Sequence, residues 1–223
     1  MNLTPLRGNQ DFWNRFAPWY EKWLTRGTYH RPIVKEISQM IEPGWKILDI
    51  GAGTGVLSLP MATLGCGVLA LEPSEGMRNI LSAKLSSLRV QGVDINTQRW
   101  EEFDPQGQTF DLLIACNSLH LTIGGLAGGM KKVFSSDAGS VALITEINQD
   151  IFIDFKAIDS LQSAYAFLFI KKFTVDSSFH FEDQDEVKEV EAVLGAKLPV
   201  IMEEERLVQH DSTDIAVVWW ERK

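Results

Sequence analysis

The chain has 223 residues, enough for one domain with a full hydrophobic core, and its 30 acidic residues outnumber its 21 basic ones, giving a formal net charge of −9. This acidic balance, with no block of lysines or arginines, argues against nucleic acid as a partner, because affinity for the phosphate backbone depends on clustered cations. The uncharged stretch 56–71 is short and broken by proline and glycine, so no membrane span is expected.

The two cysteines, Cys66 and Cys116, stand in apolar contexts without Cys-x-x-Cys spacing. They predict reduced core thiols in a cytoplasmic protein, and neither a disulfide nor a metal site. The first eight residues, MNLTPLRG, do not resemble a signal peptide, which agrees with a cytoplasmic location.

Residues 1–43 predict a helical cap. Between Asn9 and Trp23 aromatic residues recur at spacings of three and four, which places them on one helical face, with Pro18 separating two turns. This face either packs on the body of the protein or forms a lid over a binding pocket. From Ile33 to Ile41 the apolar spacing predicts an amphipathic second helix.

The stretch 46–55, KILDIGAGTG, predicts a strand buried on both faces, then a glycine turn and a helix. Gly51, Gly53 and Gly55 let the backbone take positive φ angles and pass close to a ligand. The free N–H groups at the start of the following helix are expected to face that ligand. Together these features are typical of a nucleotide-binding corner.

An acidic residue strengthens this interpretation. Glu72 ends the next apolar run, 21 residues after Gly51, where it can accept hydrogen bonds from both hydroxyls of a ribose. The alternative is a tight turn followed by a solvated glutamate.

Further along the chain, Ser74 is a good N-cap for a helix to about Leu88, and glycines at 124–129 lead into a helix through Lys132. The segment 183–194 predicts an acidic, exposed helix ending at Gly195. The remaining strands are predicted within 93–99, 111–116, 141–147, 200–209 and 215–220.

Three segments resemble successive motifs of class I S-adenosylmethionine (SAM)-dependent methyltransferases. They are ILDIGAGTG at 47–55, LEPSEGM at 71–77 and FDLLIACNSLHL at 110–121. The closest likeness is to the small-molecule branch that includes the ubiquinone and menaquinone biosynthesis type. The resemblance covers about 12–147 and is absent from the last third of the chain.

The resemblance implies an α/β, Rossmann-like fold in a single domain spanning 1–223. Its sheet would have seven mostly parallel strands, an antiparallel last strand and helices on both faces, with 200–209 and 215–220 as the terminal hairpin. The aromatic segment 150–173 carries no family motif. Its position predicts a substrate-wall insertion over about 148–182, or a surface for a homodimer.

The resemblance also implies a set of cofactor-binding residues. Tyr20 takes the place of the family's lid tyrosine, Asp49 would hold the amino group of SAM directly or through water, and Asn117 would meet its methionine end. Arg99 and Trp100 replace an aspartate and a small residue, so the Trp100 N–H and Glu101 are the expected partners of adenine. The full predicted set is Tyr20, Asp49, Gly51, Ala52, Gly53, Gly55, Glu72, Pro73, Met77, Trp100, Glu101 and Asn117.

The implied activity is methyl transfer from SAM to a small molecule, with S-adenosylhomocysteine as the product. His120 and Tyr20 are the catalytic candidates, although His120 could simply pack in the wall, and Met77 could be ordinary core. No metal is predicted, because no second ligand stands at suitable spacing from His120. The aromatic residues favour a flat or apolar acceptor, whose identity and accepting atom stay open.

Two other functions remain possible from the residues alone. A non-catalytic SAM-binding protein would share the cofactor motifs. An NAD(P)-dependent oxidoreductase would share the glycine turn and Glu72, but the glycine spacing differs from Gly-x-Gly-x-x-Gly and no Tyr-x-x-x-Lys follows.

Overall fold

The computed structural model describes residues 9–105, 107–147 and 164–223. The helices in these ranges are α1 (Gln10–Arg26), α2 (Arg31–Ser38), α3 (Ser58–Thr63), α4 (Glu75–Leu88), α5 (Gly125–Ser135) and α6 (Gln184–Leu194). The strands are β1 (Lys46–Ile50), β2 (Gly67–Leu71), β3 (Val93–Asn96), β4 (Phe110–Cys116), β5 (Ala138–Glu146), β6 (Tyr165–Asp176), β7 (Phe179–Phe181), β8 (Ile201–Glu203), β9 (Arg206–Gln209) and β10 (Ser212–Arg222). A short 3₁₀ turn, Leu119–Leu121, follows β4.

Seven of these strands form one sheet in the order β3-β2-β1-β4-β5-β10-β6. Strands β1 to β5 pair in parallel, whereas β10 is antiparallel to both of its neighbours. The predicted mostly parallel, seven-stranded sheet with an antiparallel last strand is therefore confirmed. The strand order reverses between β1 and β4, which is the point where open α/β sheets bind ligands.

The predicted terminal hairpin is wrong in one of its two strands. Strands β8 and β9 pair in a separate sheet with the order β7-β9-β8, and the neighbour of β10 is β6. All three residues of β8 are exposed, so the apolar alternation that marks a sheet strand is missing there. Strand β6 lies within the predicted insertion 148–182, for which the sequence predicted no strand; residues 148–163 of that segment lie outside the described residues.

Apolar side chains cover both faces of the large sheet. Alternation along each strand sends Leu48 and Trp220 to one face, where they pack with α5, and Ile47 and Trp219 to the other, where they pack with α2 and α3. Helices thus lie on both faces, as predicted.

Helix α1 is continuous, so the expectation that Pro18 separates two turns is wrong. Proline in a helix leaves the carbonyl four residues earlier, here that of Asn14, without its helical donor. Around that turn α1 rests on the start of α4: a Cβ added at Gly76 would lie 2.5 Å from the Asn14 carbonyl oxygen. The Asn14 side-chain oxygen accepts hydrogen bonds from Ser74 Oγ at 2.8 Å and from the Gly76 N–H at 3.1 Å. This turn of α1 is therefore fixed to α4 by packing and by the Asn14 side chain.

Candidate active site

A cavity of about 450 Å³ opens at the carboxyl ends of β1, β2, β4 and β5, and α1 forms one of its walls. This volume is within the range of sites that bind small molecules and cofactors. Of the twelve predicted cofactor residues, nine line the cavity: Tyr20, Gly51, Gly53, Glu72, Pro73, Met77, Trp100, Glu101 and Asn117. Asp49, Ala52 and Gly55 lie outside the lining.

The glycine turn after β1 is as tight as the sequence predicts. Gly51, Gly53 and Gly55 have φ angles of 74°, 57° and 85°. A Cβ at Gly51 would come within 2.4 Å of Ser118 Cβ, because the turn after β4 approaches closely there. Glycine at this position therefore allows the loops after β1 and β4 to meet beside the cavity.

The N–H groups of the glycine turn are bonded within the protein, and the expectation that free N–H groups at the start of the following helix face the ligand stays a prediction. The N–H groups of Gly51 and Ala52 both donate to the Leu71 carbonyl, at 2.7 and 3.1 Å. Those of Gly53 and Gly55 donate to Glu72 Oε2 at 2.8 Å and to the Ala52 carbonyl at 2.9 Å. The turn is therefore held mainly by the end of β2 and by Glu72, and helix α3 begins after it, at Ser58.

Glu72 is buried, with 7% of its surface exposed, so it is not the solvated glutamate of the alternative interpretation. Its two carboxylate oxygens accept hydrogen bonds from the N–H groups of Gly53 at 2.8 Å and Ser74 at 2.7 Å. Burial raises the pKa of this carboxyl, while the two N–H groups lower it. Each oxygen keeps a lone pair for a further donor, which a ribose hydroxyl can supply.

Tyr20 and Asp49 lie on opposite sides of the turn. The Tyr20 ring is next to the cavity, since a Cβ at Gly53 would lie 3.7 Å from Tyr20 Cε1, and burial raises the pKa of its phenol. Asp49 is buried behind the turn and accepts a hydrogen bond from Ser58 Oγ at 2.6 Å. Burial raises the pKa of Asp49 to about 6. Its predicted contact with a ligand, directly or through water, stays a prediction.

Trp100 is fixed from two sides. Its indole N–H donates to the Gly129 carbonyl at 3.2 Å, and the Lys132 ammonium lies 4.8 Å from its ring centre. Lys132 also donates to the carbonyl oxygens of Trp100, Glu101 and Phe103. Through these hydrogen bonds Lys132 fixes the loop that follows β3. Sequence reasoning did not identify Lys132 as a residue that supports the site. Glu101 accepts a hydrogen bond from the Ile123 N–H and so ties this loop to the start of α5.

A polar network occupies the other end of the cavity. Asn117, at φ 49°, donates from its amide to Tyr29 Oη at 2.7 Å and accepts from the Glu146 N–H at 3.1 Å. The Tyr29 hydroxyl in turn donates to Glu146 Oε1 at 3.5 Å. Of these three residues, sequence reasoning predicted only Asn117 as part of the site. Glu146 ends β5 as Glu72 ends β2, so the rule that polar residues at strand ends bind ligands could have found it.

His120 lies in the 3₁₀ turn after β4 and is partly buried. Leu121 and Thr122 from this region line the cavity, whereas His120 is not among the lining residues of the described chain. Its role as a base stays a prediction.

The small sheet and the segments next to it form another part of the cavity wall. Phe179 of β7 and Gln209 of β9 line the cavity there, together with Ser177, Asp211 and Thr213 from the adjoining connections and the start of β10. The indole N–H of Trp23 on α1 donates to the Ser177 carbonyl at 3.2 Å, which joins the two walls. No local motif marks these residues, so the sequence could not place them at the site.

Comparison with known proteins agrees with this geometry. Residues 47–135, which run from β1 to the end of α5, match the family model of the methyltransferase domain. Within these residues the chain is similar to a methyltransferase domain. It is 38% identical over 71 residues to a ubiquinone biosynthesis O-methyltransferase of Rhizobium etli, a match covering 32% of this chain and 28% of that protein. The chain thus aligns with less than a third of this relative's length.

Solved structures show the same fold. A TehB-like SAM-dependent methyltransferase from Corynebacterium glutamicum superposes with a TM-score of 0.61 at 12% identity, covering 96% of this chain and all of that one. Magnesium protoporphyrin IX methyltransferase from Synechocystis, solved with bound SAM, gives 0.56 at 16% identity over 85% and 79%. The chain thus has the Rossmann-like fold that the motifs imply.

Two features are absent from the described residues. In the ranges 9–105, 107–147 and 164–223 no helix is both long and apolar enough to cross a membrane. Within the same ranges no three or more His, Cys, Asp and Glu side chains are grouped so as to hold a metal ion.

Proposed function

We propose that the protein transfers a methyl group from SAM to a small-molecule acceptor, with S-adenosylhomocysteine as the second product. The observation that carries this proposal is the buried Glu72 carboxylate, which lines the cavity beside a positive-φ glycine turn at the point where the strand order reverses. The matched methyltransferase domain contains both features.

The residues present fit this cofactor. Glu72 has acceptor capacity left for ribose hydroxyls, and Gly53 offers a surface without a Cβ beside Tyr20. Met77 and the fixed Trp100 provide apolar walls suited to adenine. Asn117 lies at the end of β4, on the side where the methionine portion would lie.

When bound, SAM supplies an activated methyl group on a sulfonium, so the protein mainly has to align the acceptor about 3 Å from that carbon. Tyr29 and Asn117 hold Glu146 at the acceptor end of the cavity. Burial raises the pKa of the Glu146 carboxyl, which suits it to hold a proton released by the acceptor. Helix α1 and the small sheet contribute residues to the cavity wall. Tyr20 and His120 stay in the proposal as further catalytic candidates.

The same proposal covers partners and location. A homodimer is supported by the edge strand β6, where Phe167, Leu168 and Ile170 are exposed. The segment 148–182 is proposed as part of the substrate wall, supported by Phe179 in the cavity lining. The absence of nucleic-acid binding is supported by the acidic net charge, and a cytoplasmic location by the two unpaired cysteines.

The test is transfer of labelled methyl from SAM to a broad panel of small molecules, with S-adenosylhomocysteine measured in parallel. Label in an acceptor, with an equal amount of S-adenosylhomocysteine, supports the proposal. Binding of SAM without any transfer across the panel would instead favour the non-catalytic SAM-binding protein.

A further inference from the structure

The segment 99–103, in the loop after β3, forms one wall of the cavity. Its first three residues, Arg99, Trp100 and Glu101, all line the cavity. None of the three lies in a helix or a strand, so no regular ladder of backbone hydrogen bonds fixes their positions. The shape of this wall therefore depends on contacts with neighbouring elements, and α5 supplies several of them.

Three carbonyl groups of this segment converge on the Lys132 ammonium of α5. Lys132 Nζ donates to the carbonyl oxygen of Trp100, to that of Glu101 at 3.0 Å and to that of Phe103 at 2.6 Å. An ammonium has three N–H donors, so three carbonyl oxygens match its full donor set. The same Nζ lies 4.8 Å from the centre of the Trp100 ring, within the range of a cation–π contact. One charge thus holds both the backbone and a ring of the cavity wall.

The carbonyl directions also set the direction of a backbone donor. In a trans peptide the N–H points away from the C=O, so the hold on the Trp100 carbonyl turns the Glu101 N–H away from Lys132. Neither this N–H nor that of Trp100 donates to any backbone group that the structure describes. The expected contact of the Trp100 N–H with adenine therefore uses a donor in the segment that Lys132 holds.

Other contacts attach the segment to the protein independently of the ammonium. Trp100 and Phe103 are buried, with 4% and 3% of their surface exposed. The Trp100 indole N–H donates to the Gly129 carbonyl, and Glu101 accepts from the Ile123 N–H. Loss of the Lys132 charge would therefore release the three carbonyls and leave the hydrophobic contacts in place. The expected effect is a change in the backbone of the wall and not a loss of the fold.

We propose that Lys132 is a positioning residue for the nucleoside end of the cofactor. It holds Trp100 and the backbone of 100–103 in the arrangement that receives adenine. Lys132 itself is not among the lining residues of the described chain, so it acts on the ligand only through this segment. This inference rests on the proposed SAM-dependent function and adds to it a residue outside the three sequence motifs.

The test is calorimetric titration of the full chain with two ligands, S-adenosylhomocysteine and 5′-methylthioadenosine. The second ligand keeps the nucleoside and the sulfur but lacks the amino-acid portion. Lys132→Met keeps an apolar stem of similar length and removes the ammonium. This variant is expected to bind both ligands about tenfold more weakly than the wild type, equivalent to about 1.4 kcal/mol for each.

The control is Lys131→Met, which removes the neighbouring, exposed lysine of the same helix and should change neither affinity. Urea unfolding of each variant gives its folded fraction, so that the affinities refer to folded protein. If Lys132→Met fails to fold, Lys132→Gln replaces it. Its amide keeps part of the donor set, so we expect a loss of about threefold for both ligands.

Equal losses for the two ligands support the inference, because they place the effect at the nucleoside end. Unchanged affinities with lower stability would overturn it and leave Lys132 as a residue that only stabilises the fold. A larger loss for S-adenosylhomocysteine than for 5′-methylthioadenosine, or an equal loss in Lys131→Met, would also overturn it. Failure of the proposed function is distinguishable, because S-adenosylhomocysteine then does not bind even to the wild type.

Discussion

Glu72 links the glycine turn to the cavity, because one carboxylate serves both. Its oxygens hold the N–H groups of Gly53 and Ser74 and still face the space where a ribose would lie. Glu72→Ala is expected to weaken SAM binding by about 1–3 kcal/mol, the cost of orphaned polar partners. Calorimetry measures this, with Glu75→Ala, at the exposed first residue of α4, as the control. Equal affinity of the Glu72 variant and the wild type would contradict the ribose assignment.

His30 gives a prediction about pH. Its pKa is about 3 in the folded protein, below the ordinary value of 6.5, so between these values the unfolded chain binds the proton more strongly. Folding stability therefore falls on acidification through this window, by about 1.4 kcal/mol per pH unit for one group. Between about pH 6.5 and pH 5 the wild type should lose about 2 kcal/mol more than His30→Asn.

Urea unfolding at several pH values measures this difference. Asp49, whose pKa is raised to about 6, changes stability in the opposite direction, but it does so in both proteins and cancels in the comparison. Parallel profiles for the two proteins would show that His30 is not held neutral by burial.

Residues with a local signal were the predictable part of the site. Gly51 and Glu72 could be predicted because a turn and a strand end fix their positions within a short segment. Tyr29 and His30 could not, since they reach the cavity only through the packing of the loop between α1 and α2. Asp49 illustrates the converse. It lies within a motif, but its carboxylate accepts a hydrogen bond from Ser58, and the residue does not line the cavity.

At the scale of elements, the buried carboxylate of Glu186 ties α1 to α6, beside the apolar contact of Trp19 with Val187 and Val190. Glu186 accepts from Lys22 Nζ at 2.7 Å, from Arg26 Nη1 at 2.6 Å and from the Glu182 N–H at 2.9 Å. The hydrogen bond from Arg26 is the main reason that the pKa of Glu186 falls to about 2. Because α1 carries Tyr20 and Trp23, this contact also supports one wall of the cavity.

Glu186→Ala is expected to lower the free energy of unfolding by about 1–3 kcal/mol, since hydrogen bonds to charged groups are lost. The pair with Lys22 contributes the smaller part, because the Lys22 side chain is exposed and solvent screens its charge. Glu189→Ala, exposed on the same helix, is the control and should change stability little. Urea unfolding compares the two. Equal changes in the free energy of unfolding for the two variants would mean that the pairing of Glu186 with α1 contributes nothing measurable to stability. The stabilisation should persist above about pH 4.5 and disappear as the pH falls toward 2.

Over the whole molecule, the large sheet could be predicted as far as β5, because β1, β2, β4 and β5 are buried apolar runs. Beyond β5 the predicted strand partner of β10 was wrong. The partner of β10 is β6, an edge strand with exposed Phe167 and Leu168, whereas the exposed β8 joins another sheet. Edge strands lack the buried pattern, and pairing between distant segments leaves no local signal.

The account depends on SAM as the ligand of the cavity, and parallel calorimetric titrations with SAM, S-adenosylhomocysteine and NADH test this most directly. We expect the first two to bind at micromolar concentrations and NADH not to bind. Binding of NADH alone would contradict the account and would indicate that the glycine turn and Glu72 form a dinucleotide-binding site.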